Sequence, residues 1–163
     1  IRDHAESRGL GDVYKRQCEH QVVDALVSMK AAVCAERGIR LELDLALADD
    51  VSLPSVELCA VFSNLLDNAV SACGKVPEGA RFIKLKARVD AGYLAVRMEN
   101  SCAPAEPGEA RRAPRRSRGD RLPEHGWGLN ILKTLADRHD GTLETVQEDG
   151  VYRTTVLLKL DAR

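Results

Sequence analysis

Asparagine and serine side chains recur at helical spacing between residues 55 and 73. Asn64, Asn68 and Ser71 are four and three residues apart, so a helix places them on one face. Glu57 and Lys75 extend this polar row by one or two turns in each direction. Asparagine weakens a helix because its side chain competes for backbone hydrogen bonds, so two of them mid-helix require an explanation. A solvated polar face is the simpler explanation, and a ligand-binding face is the other.

A second candidate for chemistry is the G-x-G sequence formed by Gly126 and Gly128, which lies within His125-Gly126-Trp127-Gly128-Leu129. Bare glycine backbone lets a phosphate approach closely, and the unpaired amides of a helix N-terminus attract its charge. Alone, such a pair is more often an ordinary glycine turn into a helix. We expect Trp127 to pack on the helix rather than to close over a ligand.

Hydrophobic periodicity predicts the elements that position these residues. A broad apolar stripe predicts the main helix from Pro54 to Cys73, which Gly74 ends. A first helix is predicted over about 18–37, and a third opens at the G-x-G and ends at Asp140-Gly141. The buried face of the first helix is assigned to Val22, Leu26, Met29 and Val33. Alternating apolar and polar residues predict strands near 39–47, 83–89, 94–98, 142–147 and 151–160.

This order of elements predicts an α+β fold, a two-layer α/β sandwich with three main helices on one face of a mixed, mainly antiparallel sheet. Residues 101–125 hold four of the six prolines and six arginines, which predicts a long lid loop. Residues 1–17 show no sustained period and are predicted to be a non-native or disordered leader, so the domain is assigned to 18–163.

Composition limits the classes of function. The 163 residues suit one domain, and a net charge of −1 gives no global attraction to nucleic acid, so no nucleic-acid partner is expected. Five cysteines without metal-ligand spacing are expected to be reduced thiols in the cytoplasm. No apolar run approaches the roughly 20 residues that span a bilayer, so any membrane contact is expected to come from upstream segments.

The ordered set of an N-L-L-D-N-A helix, a strand ending in Met98-Glu99-Asn100, a lid and a G-x-G-L helix resembles the ATP-binding catalytic domain of sensor histidine kinases. That family is shared with DNA gyrase, the Hsp90 chaperones and MutL, and it has the Bergerat-type fold. The resemblance covers about residues 20–160. It is closest to the peptide-sensing and quorum-sensing kinases.

The resemblance implies that the cofactors are ATP and Mg²⁺. It implies that the Asn68 carboxamide oxygen ligates magnesium. Asn64 is the implied catalytic position, where ATP-hydrolysing members carry a glutamate base, and an amide cannot take a proton from water. Slow hydrolysis and transfer to another acceptor follow. The implied cofactor-binding residues are Asn64, Asn68, Ser71, Lys75, Asn100, His125, Gly126, Gly128 and Leu129.

Two departures from the family pattern concern the base and the phosphates. The first glycine box, usually an aspartate followed by glycines, reads Met98-Glu99-Asn100-Ser101-Cys102, so Asn100 stands in the place of the aspartate. An asparagine oxygen can accept a hydrogen bond from adenine, whereas a flipped amide would donate. Ser71 stands where many histidine kinases place a phosphate-contacting lysine, which leaves Lys75 or a lid arginine as substitutes.

The resemblance implies transfer of the γ-phosphoryl group to a histidine on dimerisation helices, with a response regulator as the downstream partner. None of the four histidines in the chain is a convincing acceptor, so the acceptor domain is expected to lie outside this fragment. The expected location is the cytoplasmic portion of a membrane-anchored kinase. Two alternatives stay open, an anti-sigma-factor-like serine kinase and a non-catalytic module in which ATP binding switches partner contacts.

Overall fold

The computed structural model describes residues 14–18, 20–48, 50–104 and 127–161. These residues form three helices and six strands. In chain order the elements are β1 (Tyr14–Cys18), α1 (Gln21–Glu36), β2 (Arg40–Leu47), α2 (Ser55–Cys73), β3 (Phe82–Asp90), β4 (Tyr93–Ser101), α3 (Trp127–Arg138), β5 (Thr142–Glu148) and β6 (Val151–Lys159).

The strands form one mixed sheet in the order β1-β2-β3-β4-β6-β5. β1 pairs with β2 and β2 with β3 in parallel, whereas the other three pairs are antiparallel. Strand residues opposite each other share a face, so Leu43, Leu85, Met98 and Thr154 form one row across the sheet. All four are buried.

The helices cover this buried face. Side chains from all three helices form a single hydrophobic cluster with it, and Val27, Phe62 and Leu132 are fully buried members. The predicted α+β sandwich, with three helices on one face of a mixed, mainly antiparallel sheet, is therefore confirmed. α2 is also long and apolar enough to cross a membrane, but much of it is buried as the central core helix.

The predicted buried face of α1 is wrong in part. The buried residues are Val23, Val27 and Cys34, whereas Met29 is 67% exposed. α1 carries apolar residues on two sides, so its periodicity leaves its rotation about its own axis undetermined. Packing against α2 sets that rotation, and an ion pair between Lys30 and Asp67 joins the two helices.

β1 begins at Tyr14, before the predicted start of the domain at residue 18, and pairs in parallel with β2. An edge strand is held by backbone hydrogen bonds, which need no hydrophobic period in the sequence. Residues 1–13 lie outside the described residues, so the rest of the predicted leader stays a prediction.

Two tight turns connect the elements of the C-terminal half. Asp149 and Gly150 both have positive φ, as the predicted hairpin turn between β5 and β6 requires. Between α3 and β5, a Cβ atom at Gly141 would lie 1.8 Å from the Leu157 carbonyl oxygen. The turn from α3 into the sheet therefore leaves no room for a side chain at residue 141.

Candidate functional site

The polar face of α2 meets the first turn of α3 at a glycine. Asn64 and Asn68 are both half-buried, and Gly128 packs directly against them. A Cβ atom at residue 128 would lie 3.1 Å from Asn64 Oδ1 and 3.1 Å from both terminal atoms of the Asn68 amide. The structure therefore joins the two motifs that the sequence shows 60 residues apart. A side chain at residue 128 would crowd both amides.

The Asn64 amide is held by its own helix. Its Nδ2 donates to the Ala60 carbonyl oxygen at 2.6 Å, which leaves Oδ1 as the atom on the Gly128 side. A carboxamide oxygen accepts hydrogen bonds but does not take a proton at neutral pH. Asn64 can therefore orient a ligand or a water molecule at this place, but it cannot act as a general base.

Asp67 belongs to the same sequence motif but serves a different purpose. Its carboxylate binds Lys30 of α1 and accepts a hydrogen bond from the Ser63 hydroxyl at 3.3 Å. One residue later, Asn68 points to the opposite helix, α3. The acidic group of the motif thus contributes to the packing of α1 on α2, while the two amides face Gly128 of α3.

Asn100 lies at the end of β4 and is 3% exposed. Its Nδ2 donates to the Ser101 carbonyl oxygen at 3.0 Å, so its Oδ1 is the atom free to act as an acceptor. The Cys73 thiol, at the end of α2, lies 3.4 Å from the Ser101 hydroxyl and 3.4 Å from the Phe82 carbonyl oxygen. These contacts fix the end of β4 against α2, the helix that carries both asparagines. Burial raises the pKa of the Cys73 thiol, against the opposing effect of its hydrogen bond with Ser101.

The other predicted site residues are not part of the contact between Gly128 and the two asparagines of α2. Ser71 and Lys75 are exposed at the end of α2 and just beyond it, and Leu129 is half-buried against the core. His125 and Gly126 lie outside the described residues. Trp127 is 59% exposed, so the prediction that it packs on the helix is wrong.

The first two residues of the predicted lid, Ser101 and Cys102, are held by the sheet. Ser101 is still part of β4, and Cys102 is bound through its backbone amide to the Gly150 carbonyl oxygen at 2.8 Å. Residues 105–126, with all six lid arginines, lie outside the described residues.

A hydrogen-bonded cluster of Glu57, Arg138 and His139, which the sequence did not reveal, holds the far end of α3. Glu57, in the first turn of α2, accepts from Arg138 at 2.6 Å, and its other oxygen lies 2.5 Å from His139 Nε2. Burial raises the pKa of the Glu57 carboxyl, but its bonds with His139 and Arg138 outweigh that effect and lower it. Glu57 therefore lies on the side of α2 that faces α3, as do Asn64 and Asn68, but its side chain is only 12% exposed because it is bound to α3.

Within the described residues, no group of three histidine, cysteine or acidic side chains could hold a metal ion. The donors near Gly128 are amide oxygens, which suit a hard cation such as magnesium rather than zinc. Magnesium usually takes one or two protein ligands and keeps its waters or a bound phosphate, so a sparse donor set is compatible with it.

Comparison with known proteins identifies a family and similar folds. The model of the GHKL domain family matches residues 53–159. The catalytic domain of histidine kinase ThkA matches with a TM-score of 0.65 and 19% identity, covering 85% of this chain and 90% of that one. A mycobacterial sensor histidine kinase, MprB, matches with a TM-score of 0.62 and 21% identity, covering 85% and 93%. A histidine kinase from Burkholderia phymatum matches with a TM-score of 0.62 and 21% identity, covering 89% and 70%. No curated protein matches the chain.

Proposed function

The chain belongs to the GHKL family of ATP-binding domains, and from this premise we propose that it is the catalytic domain of a two-component sensor histidine kinase. In this proposal the domain binds Mg-ATP and delivers the γ-phosphoryl group to a histidine on dimerisation helices. The observation that carries the proposal is the packing of Gly128 against the amides of Asn64 and Asn68. A glycine there lets the first turn of α3 approach the polar face of α2, so that both amides lie next to a helix N-terminus that attracts phosphate.

Magnesium, when bound, would neutralise phosphate charge and help to align the transferred group. In this proposal Asn68 holds the ion by its amide oxygen, because its amide points toward Gly128 at the N-terminus of α3. Asn64 orients the nucleotide or a water molecule without accepting a proton. Lys75 and Ser71 are proposed to contact phosphates from the exposed end of α2.

Transfer to histidine rather than to water is supported by the chemistry of Asn64, which lacks a basic group. The described histidines are occupied structurally. His20 caps α1 with a buried side chain, and His139 is bonded to Glu57. We therefore propose an acceptor on separate histidine-bearing helices of the same kinase, with a response regulator downstream. A cytoplasmic location is proposed because ATP is supplied there, and it is supported by free thiols at Cys34, Cys59, Cys73 and Cys102.

Nucleotide titration with and without magnesium tests the site. We expect the wild-type protein to bind ATP more tightly with magnesium, and Asn68→Ala to lose this dependence while keeping its melting temperature. Asn130→Ala is a matched control because Asn130 is exposed on α3 and makes the same side-chain change. If Asn68→Ala binds ATP with unchanged magnesium dependence, the ion is not held at residue 68.

Transfer of radiolabelled phosphate to a supplied histidine-bearing helical hairpin tests the reaction. Label on the hairpin histidine supports the proposal, and acid-stable label on a serine would instead indicate a serine kinase. A parallel titration with GTP tests Asn100. Its free oxygen is expected to accept from the adenine amino group, and GTP offers a carbonyl there instead.

A domain that binds ATP but transfers nothing is the second candidate. It is favoured by Asn100, because this buried amide replaces the aspartate and glycines of the family's first glycine box. ATP binding without phosphoryl transfer to the hairpin would support this candidate.

A further inference from the structure

The face of the sheet that points away from the helices carries an excess of positive charge. Cross-strand partners share a face, so Glu42, Lys84, Glu99 and Arg153 form one row across β2, β3, β4 and β6. Seven cations and four carboxylates lie on this face of these four strands. All except Asp90 and Lys159, which lie at the ends of their strands, are named the back-face cluster: Arg40, Lys84, Lys86, Arg88, Arg97 and Arg153 with Glu42, Asp44 and Glu99. The chain as a whole has a net charge of −1, so this excess is local.

Two of the carboxylates are each shared between two cations. Glu99 accepts from Arg97 at 2.6 Å and from Arg153 at 3.0 Å, and these bonds lower the pKa of its carboxyl despite burial. Glu42 lies 3.5 Å from Arg40 and 3.3 Å from Lys84. Each carboxylate neutralises one of its two cations, so uncompensated positive charge remains around both.

Lys86 stands at the centre of the cluster without a counter-ion among the described residues. Its neighbour Asp44 pairs with Arg88 instead, at 2.8 Å. Directly across the strand pair, Lys86 faces Arg97. Like charges at directly opposite positions destabilise a sheet, and Asp44, directly opposite Lys86 on β2, offsets only part of this cost because it is paired with Arg88. Proteins can keep a destabilising charge at an exposed position when that charge serves binding.

The cations of β3 are regularly spaced along the strand. Lys84, Lys86 and Arg88 follow one strand at every second residue, so they are about 6.8 Å apart. Alternate side chains of an extended peptide have the same spacing. Phe82 lies on the same face of β3, two residues before Lys84. The centre of its ring is 6.0 Å from the Arg40 guanidinium and 5.9 Å from the Lys84 ammonium, and the ring adds an apolar contact.

From this charge complementarity we propose that the back-face cluster docks an acidic segment of a partner protein, with carboxylates spaced to reach Lys84, Lys86 and Arg88. Nucleic acid and anionic lipid are disfavoured by the same geometry. The carboxylates Glu42, Asp44 and Glu99 lie within the cluster and would repel a uniformly anionic surface. A protein segment can place acidic groups at the cations and neutral groups at the carboxylates.

Binding of a defined peptide tests the proposal. The probe is a peptide of alternating glutamate and threonine, about eight residues long so that it spans β3. In amide NMR spectra of the full chain, we expect the peptide to shift resonances in β2, β3, β4 and β6, and the shifts to weaken as salt is added. Lys86→Glu is expected to weaken peptide binding about fivefold or more, because it reverses the central charge.

Lys133→Glu is the matched control. Lys133 is an exposed lysine on α3, on the opposite side of the sheet, and it undergoes the same change of charge. Its peptide affinity is expected to equal that of the wild type. Lys86→Thr separates binding from folding, because removal of the repulsion by Arg97 should leave the melting temperature unchanged or raised while peptide affinity falls.

Three results would overturn the proposal. One is the absence of shifts on the back face. Another is peptide affinity that Lys86→Glu leaves unchanged. The third is tight binding of RNA or of phosphatidylserine vesicles to wild-type protein that does not bind the peptide, since the face would then recognise phosphate.

Discussion

Gly128→Ala adds a single methyl group between α3 and the two asparagines of α2, and its effect can be estimated from the structure. The added Cβ would lie 3.1 Å from amide atoms of both Asn64 and Asn68, closer than ordinary van der Waals contact. The methyl must therefore displace at least one amide by a few tenths of an ångström. A side chain forced off its rotamer costs about 0.5–1.5 kcal/mol.

The same substitution gains helix propensity. Alanine is more favourable than glycine by about 0.8–1.0 kcal/mol in a helix interior, which is an upper bound for residue 128 in the first turn of α3. Gain and cost nearly cancel, so we expect the free energy of unfolding to change by less than about 1 kcal/mol. Nucleotide binding has no such compensation. A hydrogen bond to a charged group contributes about 1.5–3 kcal/mol, so loss of one asparagine contact should weaken binding by roughly 10- to 100-fold.

Isothermal titration with Mg-ATP and thermal unfolding of the same samples separate the two effects. Asn130→Ala serves as the control for helix propensity, because this exposed residue lies on the same helix and is also replaced by alanine. The reasoning is refuted if Gly128→Ala binds Mg-ATP with wild-type affinity. Equal affinity would mean that the nucleotide does not use the amides that face residue 128.

Three further predictions concern stability and reactivity. Glu57→Gln should cost about 1–2 kcal/mol at neutral pH, because it weakens bonds to His139 and to the more exposed Arg138. The pKa of Glu57 is lowered in the folded state, so its contribution is present above the unfolded-state pKa of about 4.3 and is lost as the pH falls through the folded pKa. Chemical unfolding of both proteins at pH 7 and pH 3 should therefore show a difference that shrinks in acid, and a constant difference would contradict this. Leu66→Ala should cost about 2–5 kcal/mol because the side chain is fully buried, and ATP affinity measured on the folded fraction should not change. Burial raises the pKa of the Cys34 thiol to about 11, so alkylation by iodoacetamide at pH 8 should require unfolding, and mass spectrometry that finds rapid labelling of native protein would disprove this.

The strands and the main helix were predictable because one strong periodicity determines each of them. Leu41, Leu43 and Leu45 alternate with polar residues and are buried as that pattern predicts. α2 combines a wide apolar stripe with a proline at its start and a glycine at its end, and both boundaries agree with the structure. The pairing of elements into one sheet and one helical layer follows from burying these faces together.

Features that depend on contacts between distant residues were not predictable. The rotation of α1 about its own axis depends on packing. Val27 and Met29 both lie on apolar sides of this helix, but only the side with Val27 is buried. Glu57 and His139 are 82 residues apart, and no local pattern indicates that they meet. For the site, spacing located Asn64 and Asn68 on one face, but only the structure shows that a glycine of α3 lies against them.

The crowded turn at Gly141 affects how sequence variation in this domain should be interpreted. Any side chain there would collide with the Leu157 carbonyl oxygen and push β5 away from β6. In a library of all single substitutions, residue 141 should tolerate replacement as poorly as Asn68. Residue 141 nevertheless lies beyond the C-terminal end of α3, whereas Gly128 lies at its N-terminal end. Intolerance at residue 141 would therefore report steric crowding of the backbone rather than a role in binding nucleotide.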